Sequence, residues 1–325
     1  MDTELVKSLQ GFKKDKWIDL LQKANLACDE QLESTVLVWE GDSLIATGSR
    51  WGNILKCIAV DDAHRGEDLT ATVLTALRQD AFTDGYSHLF LYTKPKNEFM
   101  FSSLFFYPIA KTGDVLLMEN RQNGIGNFLN TLPVAEGKTV GAAVMNCNPF
   151  TKGHRYLIET AAKECDRVYV FVLSEDRSEF SAKDRMEMVK LGTADLPNVT
   201  VLPTGPYLIS AATFPTYFLK EREKATQVQC LLDIEIFTKY YVPKFGIQRR
   251  YVGTEPCSPM TAQYNEALAA ALPEKGIVLR QVERLEQDST PVSASEVRKA
   301  LDNPEKLARL VPQSTLDYLL KEEEA

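Results

Sequence analysis

The residues of this sequence best suited to chemistry lie in Asn146-Cys-Asn-Pro-Phe-Thr-Lys-Gly-His154. They follow a nearly continuous apolar run at 139–145 and precede a segment of helical periodicity at 153–165. A turn from a buried strand into a helix presents backbone N–H groups and a helix N-terminus, which together suit a phosphate. Gly153 removes a side chain where the backbone must approach such an anion closely. His154 falls in the first helical turn, where its imidazole can reach the same anion, and Lys152 is placed to help with flanking phosphates. Read alone, the stretch is also an ordinary helix start, capped by Thr151, with a surface histidine.

A second group, Thr290-Pro-Val-Ser-Ala-Ser-Glu-Val-Arg298, follows the last predicted strand. Ser293 and Ser295 are natural helix caps whose hydroxyls and N–H groups can hold β- and γ-phosphates. Arg298 would neutralise a leaving pyrophosphate. In 174–185, Arg177 and Arg185 are phosphate-ligand candidates on a loop that reads equally as solvated charge with a cap at Ser181. In 251–256, Gly253 ends a strand, where it would let adenine or ribose approach, or would make a simple turn.

These groups need elements to hold them. From 139 onward, apolar runs alternate with helical patterns, the signature of a parallel sheet covered by helices. Strands are expected at 139–145, 167–173, 199–202, 248–253 and 277–285. Helices are expected at 153–165, 181–193, 233–245, 260–272 and from 293 on. Ligands in such sheets gather outside the carboxyl ends of the strands, near the point where strand order reverses. The earlier residues differ. An amphipathic first helix should carry Leu5, Leu9, Phe12, Trp17, Leu20 and Leu21, and a hairpin turn is expected at Gly41-Asp42. Strands follow at 53–60, 88–92 and 114–119. A helix at 69–82 should bury Leu69, Val73, Leu74, Leu77 and Ala81 and stop at Gly85, and a short helix is expected at 97–105. The stretch 121–138, with Gly124, Gly126, Pro133 and Gly137, reads as a linker. The expected domains are therefore 1–130 and 131–325.

Composition narrows the function. A chain of 325 residues is long enough for two cores. Lys and Arg number 37 and Asp and Glu 45, a net charge of −8. That balance argues against a broad nucleic-acid surface or an anionic-membrane surface. Three His argue against a multi-histidine metal cage, and none of the six Cys forms a C-x-x-C pair. No apolar run reaches the roughly 20 residues a membrane span needs. The expected setting is the cytoplasm, with reduced thiols.

Thr151-Lys152-Gly153-His154 resembles the T-x-G-H motif of nucleotidylyltransferases, with Asn148-Pro149-Phe150 as its approach. Val292-Ser-Ala-Ser-Glu-Val-Arg298 resembles the I-S-S-T-x-I/V-R motif of the same superfamily. The first 130 residues resemble a GNAT acetyltransferase domain, through Val60-Asp-Asp-Ala-His-Arg-Gly66 and Phe105-Phe-Tyr-Pro-Ile-Ala110. Asp68 and Thr70 stand where that family's acetyl-CoA loop has glycines. The fusion resembles the citrate lyase ligases, also through 192–199, Ala212-Thr-Phe-Pro-Thr-Tyr-Phe218, Asp233-Ile-Glu-Ile-Phe237 and Tyr264-Asn-Glu266. The resemblance implies an α/β fold, with a GNAT-like α+β domain followed by a Rossmann-like doubly wound parallel sheet. It implies adenylylation of acetate by ATP with Mg²⁺, then transfer of acetyl to the thiol prosthetic group of the citrate lyase acyl carrier protein. His154, Lys152 and Thr151 would be catalytic. Asn148, Pro149, Phe150, Gly153, Arg177, Arg185, Gly253, Ser293, Ser295 and Arg298 would bind ATP. A pantetheine-phosphate or mononucleotide adenylyltransferase would share the second domain and is the alternative.

Overall fold

Residues 34–60 alternate strongly apolar runs with two tight turns, and they fold as successive antiparallel strands. In the computed structural model, which describes all residues except 30, 176–177, 209–221, 256–258, 288–289 and 323–325, the chain divides into two compact units. The first comprises Met1–Gly124 and Ala211–Glu235, and the second Ile125–Ser210 and Ile236–Ala325.

The first unit runs β1 (Asp2–Val6), α1 (Gly11–Lys23), β2 (Ser34–Glu40), β3 (Ser43–Trp51), β4 (Ile54–Val60), α2 (Leu69–Thr83), β5 (Phe90–Thr93), α3 (Glu98–Ser103), β6 (Tyr107–Lys111) and β7 (Leu116–Glu119). The sheet order is β1-β2-β3-β4-β5-β7-β6. All neighbours are antiparallel except β4 and β5, the pair joined through α2. This is the α+β arrangement expected for this half. Leu69, Val73, Leu74, Leu77 and Ala81 of α2 are buried against the sheet, as the spacing predicts. β4 and β5 pair only through Ile54–Phe90 and Leu55–Leu91, so they separate toward their carboxyl ends. A cavity of about 610 Å³ opens there, lined by Ile58, Val60, Leu69, Tyr92 and Met100.

Two expectations for this unit are corrected. Leu5 and Leu9 are not on the first helix: residues 2–6 pair with β2, Leu9 precedes the helix, and the helix begins only at Gly11. Helical and strand periods cannot be separated over so few residues, and pairing with an available sheet edge decides. Tyr107–Lys111 is a strand that sequence reading missed because Pro108 argues against one. It lies at the sheet edge, with a register shift beside Pro108, where a missing N–H is tolerated.

The second unit opens with α4 (Gly124–Asn130), where only a linker was expected; Ile125 and Leu129, four apart, are buried. Then come β8 (Val140–Met145), α5 (Lys152–Glu164), β9 (Arg167–Val172), α6 (Ala182–Gly192) and β10 (Val199–Pro203). α7 (Arg222–Ile236), whose residues through Glu235 belong to the first unit, is followed in the chain by a π-helical turn at Phe237–Tyr241 and by α8 (Val242–Phe245), both of the second. The expected helix at 233–245 is thus present but begins earlier, at Arg222, and widens to a π turn just before Pro243, which has no N–H for a regular ladder. β11 (Arg249–Gly253), α9 (Pro259–Glu274) and β12 (Val278–Val282) complete the sheet, and α10 (Ala294–Arg298), α11 (Pro304–Leu310) and α12 (Gln313–Glu322) end the chain.

The sheet is wholly parallel, in the order β10-β9-β8-β11-β12. The chain leaves β8 toward β9 on one side and later returns to β11 on the other. The strand order therefore reverses between β8 and β11, and the loop at 146–151 leaves β8 there. Met145, Phe150, Ile158, Val170, Met188 and Tyr251 share the core beneath it. Phe150 anchors that loop, its fully buried ring filling the space over Gly192, where any Cβ would overlap the ring. Gly192→Ala is therefore expected to lower stability by about 1–3 kcal/mol, as overpacked sites do, read as a lower urea midpoint at unchanged slope.

Candidate active site

The helix α5 starts at Thr151 through a reciprocal pair of bonds. The Thr151 hydroxyl accepts from the His154 N–H at 3.2 Å, and the Thr151 N–H donates to His154 Nδ1 at 3.1 Å. A Thr cap satisfies an orphan amide of the first turn; here the imidazole returns the bond in place of the usual Glu or Gln. An Nδ1 that accepts leaves the proton of the neutral ring on Nε2, free to donate away from the helix. The half-buried imidazole lies nearly parallel to Phe150, with ring centroids 6.0 Å apart at 13°. Burial pushes its pKa down to about 4, and the positive charge of Arg284 adds to that. At neutral pH His154 is an uncharged N–H donor.

The second motif meets the first. Ser293 caps α10, accepting from the Glu296 N–H at 3.2 Å. Arg298 donates to the Asn148 carbonyl at 2.5 Å and to Ser295 Oγ at 3.2 Å, and lies 3.5 Å from the Glu179 carboxylate. The Val292 carbonyl lies so close to Gly153 that a Cβ there would be 3.1 Å from it. Gly153 thus admits the second motif's backbone, a reason for glycine additional to any phosphate.

The remaining candidates divide. Asn148 accepts the Phe180 N–H on its side-chain oxygen at 3.1 Å, and the Asn148–Pro149 peptide is cis. Arg185, expected to face phosphate, is fully buried. Its guanidinium donates to the carbonyls of Phe180 at 3.1 Å, Asn146 at 3.0 Å and Glu175, so it clamps the loops that follow β8 and β9. Lys152 donates to the Ala308 carbonyl at 2.8 Å and is turned toward α11. Gly253 ends β11, its carbonyl bound by Asn265 at 2.9 Å. Arg177 lies outside the described residues, as does the run 212–218. Cys147 is buried, and burial pushes its thiol pKa up, so it is no nucleophile. Arg284 was missed. It is a lone basic residue two positions beyond β12, and the rule that ligands gather at carboxyl strand ends is the signal that would have found it. Among the described residues no group of three His, Cys, Asp or Glu could hold a metal ion, and no helix is long and apolar enough to cross a membrane.

The arrangement brings a neutral N–H donor, a helix start and the arginine-bearing second motif to the switch point of a parallel sheet, a geometry able to stabilise charge developing on a phosphorus. The family described as "Citrate lyase ligase C-terminal domain" matches residues 140–319. The citrate (pro-3S)-lyase ligase of Klebsiella pneumoniae is 39% identical over 310 residues, 93% of this chain and 91% of its own length. The chain belongs to the citrate lyase ligase family. The citrate lyase ligase of Escherichia coli K12 is 38% identical over 324 residues, covering 97% of this chain and 92% of that one. An acyl-CoA N-acyltransferase structure from Pseudomonas aeruginosa aligns with 37% of this chain and 99% of its own at 12% identity, with a TM-score of 0.33. Its relatives in this family are ligases, so the protein is an enzyme, and the similarity spans both units.

The histidine carries a pH signature. Its folded pKa is lowered from 6.5 to about 4. As pH falls, the unfolded chain takes up the proton first, so this contribution to stability is complete above about pH 6.5 and is lost between there and about pH 4. Urea midpoints between pH 8 and 4.5 are expected to fall less steeply for His154→Gln than for the native chain, and equal slopes would place His154 outside this linkage.

Proposed function

We propose that the second unit adenylylates acetate with ATP and that the acetyl group then passes to the thiol prosthetic group of the citrate lyase acyl carrier protein. The observation that carries this reading is the junction at the β8–β11 switch point, where the Asn148 carbonyl and Gly153 meet Arg298 and Val292. In the first step an acetate oxygen attacks the α-phosphorus, the bond from that phosphorus to the bridging oxygen breaks, and pyrophosphate leaves. His154 Nε2–H donates to an α-phosphate oxygen as charge builds there. The start of α5, Ser293 and Ser295 hold the phosphates, and Arg298, half-engaged with Glu179, offers charge to the pyrophosphate. Mg²⁺ enters with the nucleotide, whose charge it lowers. In the second step the carrier thiolate attacks the acetyl carbonyl of acetyl-adenylate, the acyl–oxygen bond breaks and AMP leaves. A carboxylate becomes an acyl donor only once its oxygen belongs to such a leaving group, so no protein nucleophile is needed.

Labelled pyrophosphate should exchange into ATP only when acetate is present. Exchange that requires a phosphopantetheine or a mononucleotide instead would favour the adenylyltransferase alternative. His154→Ala should slow acetate-dependent exchange by about 10²-fold or more, the cost of one lost donor to developing charge, with its circular dichroism unchanged; an unaltered rate removes His154 from the chemistry.

The GNAT-like unit belongs to the same reading as a recognition module for the CoA-like arm of the carrier. Asp68 begins α2 in a left-handed conformation at φ 55°, its side chain making no cap bond, with Glu67 beside it and Thr70 two residues on. Carboxylates at a pyrophosphate-binding turn repel the ligand. Calorimetry should therefore detect at most weak acetyl-CoA binding, and micromolar affinity would overturn that view.

A further inference from the structure

The short helix α3 follows the carboxyl end of β5, where the sheet of the first unit parts. Met100, Ser103 and Leu104 wall one side of the cavity there, with Lys96 just before the helix. The outward side of this lip is apolar. Phe99 is 87% exposed, Phe105 just beyond the helix is 67% exposed, and Met100 keeps part of its surface in solvent. Lys96, three residues before Phe99, and Ser103, four residues after it, both line the cavity, so Phe99 stands on the side of α3 that borders the mouth. Single exposed apolar side chains are ordinary, but several large ones together beside a cavity mark a contact surface.

Phe105 is held in the open against its own preference. The Phe106 N–H donates to the Phe101 carbonyl and the Phe105 N–H to the Ser102 carbonyl, each at 3.1 Å. This pair of bonds closes α3 in the pattern that ends on a left-handed residue. Phe105 is that residue, at φ 61°. Glycine suits the position, and a side chain strains it. The turn itself is fastened: Arg78 donates to the Leu104 carbonyl at 2.6 Å, and its guanidinium lies 4.8 Å from the Phe106 ring centroid. Phe105 is thus presented from a fixed frame. Folding gains neither from the strained backbone nor from the exposed ring, whereas a partner seated on the ring would.

Charge says what kind of partner. The chain as a whole carries −8, yet residues 94–111 hold Lys94, Lys96 and Lys111 against one carboxylate, Glu98, which pairs with Lys111 at 3.3 Å. Lys96 is exposed and has no ion pair among the described residues. The lip after β4 carries Glu67 and Asp68 instead. An apolar centre with a basic border on the α3 lip fits a surface with an apolar centre and an acidic border. An arm that enters the cavity from a protein brings that protein's surface to the mouth. The phosphate joining a pantetheine-type arm to its protein arrives there as a further negative charge.

We propose that Phe99, Met100 and Phe105, with Lys96 beside them, form the docking surface for the acidic face of the carrier protein at the base of its arm. The identity of the carrier rests on the reading given under the proposed function.

Labelled holo-carrier of citrate lyase is titrated with the full-length protein, without ATP or acetate. Phe99→Ser and Phe105→Gly should each weaken binding by about tenfold or more, the loss typical of an aromatic anchor. Lys96→Glu should weaken it most at low salt, where exposed charges are least screened. The apo-carrier, which lacks the arm, should lose affinity by the same factor in each variant, since the patch meets the protein rather than the arm. Phe105→Gly should do this with a urea midpoint at or above the native one, because glycine relieves the left-handed strain. Phe99→Ser, at a fully solvated position, carries the test should Phe105→Gly not fold. Native carrier affinity in the folded variants would overturn the proposal. So would a native chain that sediments as a dimer and a Phe99→Ser chain that sediments as a monomer, which would give the patch to a second copy. Absent acetate-dependent exchange would sink the adenylylation reading while leaving the carrier affinities standing, so the two failures are distinguishable.

Discussion

The bond from the Thr151 N–H to His154 Nδ1 is the interaction on which the site depends. One hydrogen bond closes the first turn of α5, turns the imidazole and selects its tautomer. Each of these consequences fails if the ring gains a second proton, because two donors would then face one another. The surroundings defend that state: Phe150 lies against the ring, burial disfavours the charged form, and the nearby cation acts in the same direction. A helix cap, usually a local device worth about 1 kcal/mol, here also aims the chemical group.

Around this bond the second unit supplies position rather than further reactive groups. The parallel sheet brings the loop after β8 to the place where strand order reverses. Arg185, without exposure of its own, fastens that loop to the one after β9 through backbone carbonyls. An arginine so buried and so fully bonded is a structural clamp, since removing it would leave several carbonyls without donors. Its role differs from that of Arg298, which keeps 31% of its side chain exposed and meets its acidic neighbour Glu179 only at 3.5 Å.

Much of this could be read from residues alone, for physical reasons. β8 and β9 are apolar because both faces of a parallel sheet are covered, and Thr151 and Ser293 announce their helices because cap chemistry is local. The amphipathic spacing in α2 predicts its buried face. What could not be read depends on neighbours distant in sequence. Nothing local separates Leu5 in an edge strand from Leu5 in a helix. Nothing near Arg185 says that its partners are carbonyls rather than phosphates, nor that Lys152 turns to Ala308. Arg284 carries no motif at all and acquires meaning only once β11 and β12 lie side by side. Side-chain type was legible; side-chain direction was not.

The contact between Arg298 and the Asn148 carbonyl spans 150 residues of chain. Because the two halves of the site come from opposite ends of the second unit, no shorter internal fragment can assemble it. During synthesis the polypeptide would remain inert until the residues through Arg298 had emerged. Competence then arrives all at once rather than by degrees. Closing so long a loop is slow compared with making local turns, so the site belongs to the late events of folding. Any molecule that bridges the two motifs binds only the finished unit, and it would act as a clasp on the whole sheet rather than on the loop it touches.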